Sequence, residues 1–139
     1  MRAVAIKNKT LLQKPPVGKP KKKILLVDDD WIFLQMLKSR LMRRGFEVVT
    51  AGSEKEFWEK AFSAKPDLII VDLLLKNKMG QEVYRNLLRF GLDPGIPVIF
   101  MSAFVDEELK KYESETRGAI LYSKSVDFKE LVKKIQERS

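Results

Sequence analysis

At 139 residues, 45% of them apolar, the chain is long enough for one domain with a real core and too apolar to be disordered throughout. It contains no cysteine and no histidine, which removes disulfide scaffolds, zinc–thiolate sites and Ser-His or Cys-His catalysis. Any metal must then be held by oxygen, the chemistry of magnesium, calcium or manganese.

The formal charge of +8 is concentrated at one end. Arg2 and lysines 7, 9, 14, 19, 21, 22 and 23 face no acid, whereas residues 24–139 hold 19 basic residues against 19 acidic ones. With Pro15, Pro16, Gly18 and Pro20 among them, residues 1–22 read as a flexible or partly extended basic arm ahead of a domain at 23–139. The arm is either a solvated leader that keeps the domain soluble or a segment that touches phosphates or an anionic membrane. No apolar run reaches the length of a membrane span, and the N-terminus lacks the apolar core of a signal peptide. The absence of cysteine fits a cytoplasmic protein.

From Lys23 onward, short apolar runs alternate with helical periodicity. The runs lie at 24–27, 47–50, 68–71, 96–101 and 119–122, the second being the weakest. Trp31 to Arg44 sets Leu34, Leu37 and Leu41 on one stripe, with Gly45 suited to the C-terminal cap. Ser53 and Glu56 form a capping box ahead of Phe57, Trp58, Ala61 and Phe62. A third helix starts near Gln81 and carries Val83, Tyr84, Leu87 and Leu88; a fourth holds Val105, Leu109 and Tyr112. The last places Phe128, Leu131, Val132 and Ile135 at helical spacing. Strand then helix, five times over, implies parallel strands joined by right-handed crossovers. Strands without polar alternation are covered on both faces, and Glu47 and Thr50 mark the second as an edge.

The stretch "KILLVDDDW", residues 23–31, runs aliphatic side chains straight into Asp28, Asp29 and Asp30. Clustered carboxylates at a buried strand tip are costly unless a cation or proton offsets them. In a doubly wound sheet the ligand site lies at the carboxyl ends of the strands. Asp28 ends the first strand, Asp72 the third, Ser102 follows the fourth and Lys124 the fifth, so four polar groups distant in sequence converge on one edge. Asp28, Asp29 and Asp72 would make an oxygen-only pocket suited to magnesium, with manganese as an alternative. Asp72, isolated between "DLIIV" and "LLL", could attack phosphorus to become an aspartyl phosphate. The metal, the Lys124 ammonium and the Ser102 hydroxyl are candidate clamps for the phosphoryl oxygens. Asp30 reads instead as a helix cap before Trp31.

The segments "ILLVDDD", "PDLIIVDLLLKNKMGQEVYRNL", "IPVIFMSA" and "GAILYSK", taken in order, closely resemble the receiver domain of bacterial two-component response regulators over about residues 23–138. The spacing from Asp72 to Gly80 also follows the family pattern. The fold expected is a single three-layer (βα)5 α/β domain: a doubly wound five-stranded parallel sheet in the flavodoxin-like strand order 2-1-3-4-5. The resemblance implies that Asp28 and Asp29 are the acidic pair for magnesium and that Asp72 is the phosphoacceptor. It also implies that the Leu74 carbonyl completes the protein's metal ligands and that Ser102 and Lys124 read the phosphoryl group. The implied donor is a phosphohistidine on a sensor histidine kinase or histidine phosphotransfer protein. The implied output face comprises the fourth helix, fifth strand and fifth helix, directed to a downstream protein partner or a homodimer. Direct nucleic-acid binding by the domain is not expected, and neither is an enzyme acting on an external substrate.

Three departures from the family pattern stand out. Lys76 occupies the position of a common proline, Met79 that of a common aspartate before the loop glycine, and Ser125 follows the lysine where proline is usual. The interval from Gly118 to Lys124 is one residue short, so the switch position falls on Tyr122 or Leu121. Leu74 and Phe104, two residues beyond Asp72 and Ser102, are bulky and apolar; beside a phosphoryl group they would hinder an attacking water. The alternative function is a degenerate receiver, a protein-interaction module that takes no phosphate. A complete Asp28/Asp29/Asp72 set argues against it. A magnesium phosphohydrolase would want an acid where Leu74 stands, and no Gly-rich loop suggests a nucleotide.

Overall fold

The computed structural model describes residues 21–102, 120–123 and 128–138. The expected helix at 105–112, Phe104, Gly118, Lys124 and Ser125 lie outside these residues, as do residues 1–20 of the arm.

Five parallel strands form the sheet: β1 (Lys23–Val27), β2 (Glu47–Ala51), β3 (Leu68–Asp72), β6 (Val98–Ser102) and β7 (Ile120–Ser123). Their order is β2-β1-β3-β6-β7, the doubly wound arrangement expected. Around them lie α1 (Trp31–Arg43), α2 (Glu54–Ser63), α3 (Gly80–Arg89) and α4 (Phe128–Glu137), and after β3 a two-stranded ladder pairs β4 (Leu74–Leu75) with β5 (Lys78–Met79). The small ladder was not expected. Its turn, Lys76–Asn77, carries no glycine to announce it.

Side chains alternate across each strand, and the two faces build two cores. Leu25, Val27, Ile69, Val71 and Phe100 pack against Phe57 and Ala61 of α2 and Val83 and Leu87 of α3. Ile24, Leu26, Ile70, Ile99 and Met101 pack against Leu34, Leu37 and Leu41 of α1 and all four expected apolar residues of α4. Arg40 lies 4.2 Å above the Phe128 ring and Arg44 5.4 Å from it, tying the end of α1 to the start of α4.

Helix boundaries follow local chemistry. Gly45 sits at φ 92, with its N–H donating to the Met42 carbonyl and that of Phe46 to Leu41, the paired bonds of a Schellman end. Ser53 caps α2 by accepting from the Glu56 N–H, while Glu56 reaches back to the Gly52 N–H rather than to Ser53 itself. The fourth core strand starts at Val98, not Ile96, because Pro97 has no N–H for the ladder; its carbonyl still accepts from Ile69. On α2, Phe57 and Ala61 are buried in the core and Trp58 is partly buried against it. Trp58 also meets Phe90 edge-on at 5.0 Å, and Phe62 is exposed. No helix among the described residues is long and apolar enough to cross a membrane.

Phe57 is the largest fully buried side chain of the first core. Phe57→Ala is expected to lower stability by about 3–5 kcal/mol, read as a reduced urea midpoint.

Candidate metal and phosphoacceptor site

The site is set by strand register. Val27 of β1 pairs with Val71 of β3, so the next residues, Asp28 and Asp72, emerge at the same level of the same sheet edge. The backbone is fixed there on both sides: the Asp28 N–H donates to the Ala51 carbonyl at 3.1 Å, and the Leu73 N–H to Met101 at 2.7 Å. Asp28 lies one residue beyond the end of its strand rather than within it, and Ser102 is the last residue of β6 rather than the first after it. Both shifts leave the residues on the expected edge.

Asp28 is completely buried and Asp72 nearly so, at 7% exposure, while Asp29 is exposed. Each of the three carboxylates offers an oxygen within 4.8 Å of the others, so residues separated by more than 40 positions form one cluster. Each also accepts a backbone N–H. Asp30 donates to Asp28 Oδ1 at 2.9 Å and Leu74 to Asp72 Oδ1 at 3.2 Å, both from two residues downstream. Asp29 Oδ2 instead accepts from the Lys76 N–H at 3.1 Å. Asp30 has a different task. Its Oδ1 accepts from the Phe33 N–H at 3.1 Å and caps α1, as its position suggested.

Gly80 shapes the floor of the site. Its N–H donates to the Leu73 carbonyl at 2.6 Å, and a Cβ on Gly80 would run into the carbonyl oxygen of Asp72. Only a residue without a side chain lets α3 begin so close to Asp72. Met79, directly before it, is the N-cap of α3 and supplies no side-chain acceptor, so this helix starts without the cap an aspartate would give.

The donor set tests well against a divalent ion. Three carboxylates with no nitrogen or sulfur donor suit magnesium or manganese, which take oxygen ligands and retain several waters.

A family model described as the response regulator receiver domain matches residues 24–136. The chain belongs to this family. PhoP of Bacillus subtilis, an alkaline phosphatase synthesis transcriptional regulatory protein, is 38% identical over 98 residues, covering 70% of this chain and 40% of PhoP. PhoB of Pseudomonas aeruginosa, a phosphate regulon transcriptional regulatory protein, is 30% identical over 115 residues, or 83% of this chain and 50% of PhoB. The chain thus spans half or less of the length of these relatives. Among solved structures, a CheY-like receiver domain protein from Methanospirillum hungatei superposes with a TM-score of 0.74 at 28% identity, covering 86% of this chain and 94% of that one. The response regulator TrrA of Thermotoga maritima, in complex with Mg2+ and BeF, gives a TM-score of 0.73 at 28% identity, covering 85% and 99%. A receiver is a signalling domain, with phosphorylation-dependent regulation, and its family implies a histidine kinase or phosphotransfer partner.

The roles of two residues at the site, Gly80 and Lys76, were not read from the sequence. The steric role of Gly80 had a signal in its spacing from Asp72. The Lys76 amide had none, since any residue but proline supplies an N–H.

Gly80→Ala is expected to cost about 1–3 kcal/mol through overpacking against Asp72, measured as a lower urea midpoint.

Proposed function

We propose that Asp72 is the phosphoacceptor of this receiver, with Asp28, Asp29, Asp72 and the Leu74 carbonyl holding a magnesium ion. The supporting observation is the convergence of the three carboxylates within 4.8 Å at one sheet edge. In the reaction, a carboxylate oxygen of Asp72 attacks the phosphorus of a phosphohistidine on the donor protein. The new O–P bond forms as the P–N bond breaks, and the leaving imidazole nitrogen keeps its electron pair and takes up a proton. Bound magnesium supplies neutralisation of the charge carried by the carboxylates and phosphoryl oxygens.

The chain's own groups orient the acceptor. The Leu74 N–H on Oδ1 fixes the plane of the Asp72 carboxylate, and the parallel ladder holds its backbone against Met101. Ser102, on the adjacent strand and half-buried, is assigned to one phosphoryl oxygen through its hydroxyl, and Lys124 to another through its ammonium. Movement of Ser102 toward the new charge would pull on the chain that follows it and shift the output face. The donor is assigned as a sensor histidine kinase or histidine phosphotransfer protein, with a separate downstream protein reading the switched face in the cytoplasm.

Incubation with acetyl phosphate and magnesium tests the assignment. The native chain should gain the mass of one phosphoryl group, and Asp72→Ala should gain none; a native chain that stays unmodified defeats the proposal. Leu74, two residues beyond the acceptor and 58% exposed, is assigned to obstruct a hydrolytic water. Leu74→Asn is accordingly expected to shorten the lifetime of the phosphorylated form severalfold, followed by mass spectrometry after removal of the phosphodonor.

A further inference from the structure

The three clustered carboxylates are held in two different ways. Asp28 and Asp72 each accept an N–H from two residues downstream, Asp30 and Leu74, so their own loops orient them. Asp29 is exposed, and the bond to its Oδ2 comes from Lys76, 47 positions away in sequence. An exposed aspartate without such a hold would sample several rotamers.

The group that holds Asp29 is itself anchored. Lys76 opens the turn of the β4–β5 ladder, in which Leu74 pairs with Met79 and Leu75 with Lys78. Leu75 is buried in the first core, Lys78 Nζ reaches Glu54 Oε2 on α2 at 3.2 Å, and the Gly80 N–H closes the base on Leu73. Lys76 lies at φ 51, in the left-handed region. A proline could neither adopt that φ nor donate, whereas glycine could do both without strain.

We propose that the Lys76 backbone N–H is a positioning group for Asp29, fixing this carboxylate for a divalent ion before the ion arrives. The inference rests on the assignment of Asp28, Asp29 and Asp72 as metal ligands. One amide occupies one of the several acceptor positions of a carboxylate, so Asp29 remains able to bind a cation. Its side chain also stays reachable, on a cleft of about 280 Å³ shared with Ser53 and the hairpin. The role belongs to the backbone. The Lys76 ammonium is not required for it.

The test titrates Mn2+ into the full chain by calorimetry, with circular dichroism reporting the fold. Lys76→Ala and Lys76→Gly retain the N–H and should bind Mn2+ as the native chain does. Lys76→Pro should bind about tenfold or more weakly, the usual effect of losing a group that orients a ligand. Amide hydrogen exchange on the metal-free chain decides the matter even if the proline variant does not fold. The Lys76 amide should be protected in the native chain and exchange faster in Asp29→Ala. Native-like Mn2+ binding by folded Lys76→Pro, or an exchange rate unchanged by Asp29→Ala, overturns the positioning role and leaves the metal assignment standing. A native chain that binds no Mn2+ overturns both.

Discussion

Everything at the site depends on the parallel register of β1 against β3. Pairing Val27 with Val71 brings Asp28 and Asp72 to the same height on adjacent strands. A slip of one residue would break that juxtaposition and turn the apolar side chains of each strand to the opposite face. The aliphatic cores on both faces therefore hold the carboxylates together as firmly as any contact between the carboxylates could. Repulsion among these acids is a local cost imposed by a much larger hydrophobic gain.

Around this fixed edge the remaining parts are adjustable. The ladder after β3 folds back so that Lys76 meets Asp29, and Gly80 lets α3 start against the backbone of Asp72. Two departures from the family pattern take on physical meaning here. Lysine in place of the common proline supplies an N–H at a backbone angle closed to proline. Methionine in place of the common aspartate leaves α3 without a side-chain cap, so the helix start relies on the Gly80 bond to Leu73.

Much of the architecture was legible because the signals were local and redundant. Unbroken aliphatic runs marked the buried strands, and the Leu34, Leu37, Leu41 stripe marked the inner face of α1. Gly45 and Ser53 marked helix ends through geometry that few other residues satisfy. The errors were equally physical. Apolarity alone could not separate Phe57 and Ala61, which are buried, from Phe62, which is exposed. Nor could it show that Pro97 delays the start of β6.

The order of residues determined which chemistry was available: oxygen donors only, three clustered acids in prospect, and strand ends that would carry them. It determined the alternation of strand and helix as well, because periodicity is a property of neighbours along the chain. Tertiary structure alone decided that Asp29 is held from 47 residues away and that Lys76 adopts a left-handed backbone. It also decided how closely Gly80 approaches Asp72. An amide is the same group at nearly every position, so its partner is chosen only when distant segments are brought face to face.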